Sequence, residues 1–178
     1  MPRRITFLSI FFLMLSACGV LSPQPKPMVE LSLLPLIEGP ADFLLKQKLT
    51  MEALGESQQF MAVIRLEKEV LKLRVFLATG QPIFSLDYDS HTLIQKQFST
   101  NILPGKEILA MIQFALWPEP LVKEYYNDAK GWQLNCSSEK RVLKLVNEDV
   151  LHVNYLSSEA LVIDNMRHHY RVSIEALE

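Results

Sequence analysis

From Phe43 the chain alternates apolar and polar positions with a period of two, the mark of strands that bury one face. Leu45, Leu49, Met51 and Ala53 fall on one face, and Lys46, Lys48, Thr50 and Glu52 on the other. Phe60, Ala62, Ile64 and Leu66 then alternate with Met61, Val63, Arg65 and Glu67. Leu71, Leu73, Val75 and Leu77 alternate with Lys72, Arg74 and Phe76. Phe84, Leu86 and Tyr88 alternate with Ile83, Ser85 and Asp87, and Thr92 to Phe98 is a further strand. Gly55-Glu56, Lys68-Glu69, Gly80-Gln81-Pro82 and Asp89-Ser90-His91 supply the turns. Short strands at this spacing predict an antiparallel meander with one apolar and one mixed face.

After Pro104-Gly105 the period changes. Ile108 to Trp117 holds one polar residue, Gln113, and stops at Pro118. Good helix formers with apolar residues all round predict a helix that must be enclosed. The concave face of the preceding sheet is the simplest enclosure. Pro120 to Tyr126 suggests a short second helix. Strands resume at Trp132–Cys136, Arg141–Val146, Val150–Tyr155, Ala160–Ile163 and Tyr170–Ala176, with Asn147-Glu148-Asp149 as a hairpin turn. No internal repeat, low-complexity block or second domain is visible. The expected fold class is α+β, with two antiparallel meanders and a short apolar helix enclosed by the sheet.

The N-terminus has a different logic. Arg3-Arg4 precede an apolar run from Ile5 to Leu15, and Leu15-Ser16-Ala17-Cys18 follows. Basic, apolar and small-residue regions in that order read as a secretory signal. The run is too short for a membrane-spanning helix, which needs about 20 apolar residues. Leu-Ser-Ala-Cys resembles the bacterial lipobox. The resemblance implies cleavage before Cys18, diacylation of its sulfur and acylation of its new amine. Residues 1–17 would be a lipoprotein signal peptide, 18–40 a lipidated cysteine with a Pro-rich tether, and 41–178 the folded domain. Gly19, rather than Asp, resembles the sorting signal that sends lipoproteins to the outer membrane of Gram-negative cells. The tether holds Pro23, Pro25, Pro27, Pro35 and Pro40, which favour extended chain. Leu31, Leu33, Leu34, Leu36 and Ile37 are too apolar for a free linker and are expected to lie against the domain.

Hydrophobic residues make up 49% of the 178 and charged residues 21%, enough for a globular core. Loss of Arg3 and Arg4 with the signal moves the formal net charge from −2 to −4. No basic excess remains to grip a phosphate backbone, which argues against nucleic acid. Lipidation of Cys18 leaves Cys136 without an intramolecular partner. A buried structural thiol is the expected role, ahead of an intermolecular disulfide or a catalytic thiol.

Catalytic chemistry finds little support. There is no Gly-x-Ser-x-Gly elbow, His-Glu-x-x-His pair or phosphate-cradling glycine loop. His168 and His169 would face opposite sides of a strand. His91 and His152 have no spaced partner, and His152 is expected to face the surface. Asp87 and Asp89 share a face, but beside Ser90-His91 a turn-capping role outweighs acid–base work. Arg65 and Arg74 could hold a lipid phosphate or carboxylate; ion pairs with Glu67 or Glu69 are the plainer expectation. No metal or cofactor is expected.

The order meander, enclosed helix, second meander resembles the lipoprotein-carrier fold (LolA/LolB-like) of a periplasmic lipoprotein chaperone and its outer-membrane receptor, which implies an α+β fold in which an antiparallel incomplete β-barrel, or half-barrel, encloses the short apolar helix. The segment Gly80-Gln81-Pro82-Ile83-Phe84-Ser85-Leu86-Asp87-Tyr88-Asp89 resembles one in an uncharacterised proteobacterial lipoprotein family, often encoded beside aryl-polyene pigment-lipid genes. Trp117-Pro118 and Asn165-x-Arg167-x-x-Tyr170 match that family too. The receptor carries an exposed leucine before a glycine at a strand-connecting tip. On this alignment the glycine is Gly80 and Thr79 replaces the leucine.

The resemblance implies a monomeric, non-enzymatic lipoprotein on the periplasmic face of the outer membrane. It would bind or transfer an acyl or polyene lipid, or a lipidated protein delivered by a periplasmic carrier. The expected cavity residues are Leu49, Met51, Phe60, Ala62, Ile64, Leu73, Val75, Phe84 and Leu86 of the sheet, with Ile108, Met111, Ile112 and Leu116 of the helix. Displacement of that helix would admit cargo. The alternatives are a structural accessory of an envelope assembly, with the helix as permanent core, and an acyl hydrolase dependent on Cys136 or His91.

Overall fold

The computed structural model describes residues 30–98 and 104–177. Cys18 and the signal region lie outside the described residues. The first meander comprises β1 (Phe43–Ala53), β2 (Glu56–Glu67), β3 (Val70–Leu77), β4 (Pro82–Tyr88) and β5 (Leu93–Gln97). Helices α1 (Gly105–Leu116) and α2 (Glu119–Tyr125) follow. The second meander comprises β6 (Trp132–Cys136), β7 (Lys140–Leu145), β8 (Glu148–Tyr155), β9 (Ala160–Asn165) and β10 (Tyr170–Ala176).

All ten strands form one antiparallel sheet in the order β5-β4-β3-β2-β1-β10-β9-β8-β7-β6. The first and last strands join the meanders, with Leu49 opposite Ile174 and Ala53 opposite Tyr170. Nothing in the local alternation specifies that long-range pairing. The sheet is open, with β5 and β6 as its edges.

Three hairpins turn on two residues that both sit at positive φ: Leu54-Gly55, Lys68-Glu69 and Val146-Asn147. This is the type I′ geometry, whose twist suits paired strands and which usually recruits Asn-Gly. Two expected turns shift as a result. The first lies one residue earlier than Gly55-Glu56, and the Asn147-Glu148-Asp149 turn is Val146-Asn147, with Glu148 already in β8. A bulge displaces another expectation. Val75 faces Phe84 while Phe76 faces Pro82, which leaves Ile83 as the extra residue. Ile83, assigned by alternation to the mixed face, is therefore buried inward.

Both halves of the sheet grip α1. At its N-terminus, the Gly105 N–H donates to Gln95 Oε1 of β5 at 2.9 Å. A β-carbon at Gly105 would stand 2.2 Å from that oxygen, so a larger residue would push the Gln95 side chain off the helix N-terminus. At its C-terminus, Arg141 of β7 donates to the carbonyls of Phe114 and Trp117, at 2.6 and 2.9 Å. Tyr155 of β8 donates to the Ala115 carbonyl at 2.7 Å. The cation thus meets the negative end of the helix dipole. One helix touching β5 and β7 requires a sheet curved around it.

The strap formed by residues 30–39 crosses the opposite side of α1. Leu31, Leu34 and Leu36 are buried there, whereas Ile37 is exposed. The Gln113 amide accepts from the Leu34 N–H at 2.8 Å and donates to the Leu34 carbonyl at 2.7 Å. Trp117 Nε1 donates to the Pro35 carbonyl at 2.9 Å, and Tyr126 donates to the Ser32 carbonyl at 3.1 Å. Phe114, Tyr126 and Trp132 stack edge to face behind α2. The sole polar residue of the apolar run is thereby fully buried, with both its amide oxygen and its amide nitrogen bonded.

Candidate functional site

Between the concave face and α1 lies an apolar cavity of about 510 Å³. Its walls follow from two periods. Strand residues two apart share a face, so β1 contributes Leu49 and Met51, and β2 contributes Phe60, Ala62 and Ile64. Leu73 and Val75 come from β3 and Phe84 from β4. On α1, Ile108, Met111, Ile112 and Leu116 form one stripe at helical spacing, and all four line the cavity. Gln113 and Phe114 lie on the other side of the helix, toward the strap.

Leu86 is the exception among the expected lining residues. It is fully buried beneath the N-terminus of α1 and would lie 3.1 Å from a β-carbon at Gly105. It supports the helix instead of facing the cavity. Conversely, Leu161 and Ile163 of β9 and Val172 and Ile174 of β10 complete the far wall. Their alternation was visible in the sequence. Their membership was not, because it depends on β1 pairing with β10. Ile83 joins through the bulge, and Ala115 fills a gap in the helical stripe.

The cavity opens at the β1–β2 hairpin, where the lining residues Leu54, Glu56 and Gln58 are exposed. Leu54 is 98% exposed and sits before Gly55 in the hairpin turn. Leu54-Gly55 is thus an exposed leucine before a glycine in a hairpin turn, whereas Gly80 tips the β3–β4 turn behind Thr79. Glu56 is the one charged residue among the described residues that line the cavity.

A polar knot ties the neighbouring β9–β10 turn to α1. Asn165 Oδ1 accepts from the backbone N–H groups of Arg167 and His168 at 3.1 and 3.0 Å. Its Nδ2 donates to Glu107 Oε1 at 2.9 Å and to Tyr170 Oη at 3.0 Å. The Tyr170 hydroxyl points to the Met111 sulfur at 3.0 Å. Burial, helped by the Glu107 carboxylate, pushes the Tyr170 phenol up. His168 Nε2 lies 3.4 Å from Glu107, and its ring stacks on Tyr170. The closing Asn165-x-Arg167-x-x-Tyr170 motif thus has a structural task.

The remaining polar candidates are paired elsewhere. Asp89 accepts from the N–H groups of Thr92 and His91 at 2.6 and 3.0 Å, which holds its carboxyl below the usual range. Arg65 pairs with Glu67 at 2.7 Å. Arg74 lies 2.6 Å from Asp87, while its guanidinium donates to the carbonyls of Leu73 and Leu86, so Asp87, not Glu67 or Glu69, is its partner. His152 lies 3.3 Å from Asp149 and is mostly covered. Cys136 is a free thiol, only partly buried, and that burial raises it further from the reactive thiolate. Among the described residues, no group of three His, Cys, Asp or Glu could hold a metal. No helix there is long and apolar enough to cross a membrane.

No curated protein matches the chain. A family model described as "protein of unknown function" matches residues 44–178, which takes in every described strand and both described α-helices from the second residue of β1 onward. By that match the chain belongs to the DUF3261 family.

Proposed function

We propose that this chain is a lipid-anchored envelope protein that binds or transfers an acyl or polyene-lipid chain, or a lipidated protein, within the cavity. The cavity carries the reading: about 510 Å³ of space lined almost wholly by aliphatic and aromatic side chains, beside a fixed helix and open at one hairpin. Such volume and composition suit a lipid chain. At about 0.8 kcal/mol per buried methylene, a long chain would be held firmly. Twelve of the thirteen side chains named above, Leu86 excepted, would contact it. No covalent chemistry is invoked.

Lipidation of Cys18 would anchor the chain to the periplasmic face of the outer membrane. Glu30, where the described chain begins, pairs with Lys106 at the N-terminus of α1. The next residue, Glu107, contacts Asn165 of the β9–β10 turn, which adjoins the cavity mouth. Tether exit and mouth therefore share one end of the domain. The twelve residues from Cys18 to Glu30 span at most roughly 40 Å. An open antiparallel sheet curved about a helix supports kinship with the LolA/LolB-like carriers. In this protein cargo would enter at the mouth, because α1 is bonded at both ends and to the strap.

That bonding also favours a second reading, in which α1 is permanent core and the protein is an accessory of an envelope assembly. Native mass spectrometry of the purified protein, followed by lipid-binding assays after delipidation, separates the two. Retained or reacquired lipid supports the carrier. A folded domain that never takes up lipid refutes it and leaves the accessory.

A further inference from the structure

We infer that the cavity takes a single acyl chain attached to an uncharged head, an ester, amide or alcohol, and discriminates against anionic lipids. The inference rests on the reading of the cavity as a lipid site. Two observations carry it, one of volume and one of charge.

A cavity of about 510 Å³, at the ~30 Å³ that a water-sized group such as a methylene occupies, holds roughly 17 such groups. That is one long chain. A two-chain phospholipid or a triacylated protein N-terminus would leave its other chains outside.

Among the described residues that line the cavity there is no Lys, Arg or His, and Glu56 is the one charged residue. The neighbouring hairpin surface adds Glu52 and Asp164. Its cation Arg171 is already taken, with Nε 2.6 Å from Asp164 and Glu52 close enough to strengthen its charge. His169 also borders that surface, outside the cavity itself. A chain inserted into the cavity therefore leaves its head beside a carboxylate, with no cation among the described lining residues to neutralise a phosphate or fatty-acid anion. An uncharged head meets no such penalty. Gln58 stands at the same mouth, and its amide offers both a donor and an acceptor to an ester, amide or hydroxyl group.

The test uses the full chain, stripped of bound lipid, at pH 8. Hexadecanol, monopalmitoylglycerol, palmitate, palmitoyl-lysophosphatidylglycerol and a diacylglyceryl-cysteine peptide compete for the cavity, with bound stoichiometry read by native mass spectrometry. The two uncharged single-chain ligands should bind at one per protein. Palmitate and the lysophospholipid should bind at least about fivefold more weakly, the factor for one like charge a few Å away in high dielectric. Glu56→Lys and, separately, Gln58→Lys should erase that gap; both positions are exposed, so folding is expected to survive. The diacyl peptide should bind no tighter than monopalmitoylglycerol. Equal affinity for palmitate and the glyceride, or two chains seated per protein, overturns the inference and leaves the lipid-site reading standing. If no ligand binds the folded protein, that reading falls and the inference with it.

Discussion

Gln113 and Leu34 pair as two strand residues would, with one side-chain amide satisfying both the N–H and the carbonyl of a residue 79 positions away. Gln113 and Asn165 are the two buried polar side chains, tyrosines aside, among the described residues, and each secures α1 on a different side. Apolar packing alone would let a smooth helix slide or rotate. Two satisfied polar contacts fix its register and hold the cavity stripe toward the sheet.

Replacing Gln113 with Leu keeps the volume and removes both bonds. The Leu34 N–H and carbonyl are then buried without partners, at about 1–3 kcal/mol for each. A stability loss of about 2–6 kcal/mol is expected, read as a lower urea midpoint. Unchanged stability would show that the strap contributes nothing to holding α1.

Ala62 is buried in the cavity wall. Ala62→Phe should fill space that a ligand needs. Excluding even two methylenes costs a ligand about 1.6 kcal/mol, or more than tenfold in affinity. Near-ultraviolet circular dichroism should stay native while lipid uptake falls. Uptake that survives this substitution would place the ligand elsewhere.

Leu54 is held at φ 52° with almost its whole side chain in solvent. Leu54→Asn suits the type I′ turn and should stabilise the fold by about 1 kcal/mol. If the exposed leucine serves contact with a membrane, the same change should reduce flotation with vesicles. A variant both more stable and weaker in flotation would mark Leu54 as retained for function. Unaltered flotation would remove that role.

Burial raises the phenols of Tyr126 and Tyr170 well above the usual value. Unfolded phenols ionise near pH 10. Above that pH the unfolded state releases protons that the native state keeps, so stability falls as pH rises. The contribution is fully present below about pH 10. Tyr126→Phe with Tyr170→Phe should flatten this alkaline loss, measured as urea midpoints from pH 8 to pH 11. An equally steep loss in the double variant would assign it to other groups.

Much of the architecture was legible in the sequence because the signals are local. Alternation of period two marked the strands, and a switch to a continuous apolar run ended by Pro118 marked α1. The inward set Phe60, Ala62, Ile64, Leu73 and Val75 followed directly, since a strand residue's face is decided by parity. Parity failed at Ile83, where one bulged residue reverses the phase. It also could not see that Leu86, on the correct face, is covered by Gly105 rather than left beside the cavity.

The sequence by itself determined most of the inward side chains, Ile83 excepted, the turns to within a residue or two, and that one helix must be enclosed. Only the tertiary structure decided that β1 pairs with β10, which adds the β9 and β10 wall and turns two meanders into one curved sheet. It also decided that the strap satisfies Gln113 and that space remains beside α1. The reason is physical: parity and helical period arise from bonds between neighbours, whereas a cavity is the volume left when distant surfaces meet imperfectly.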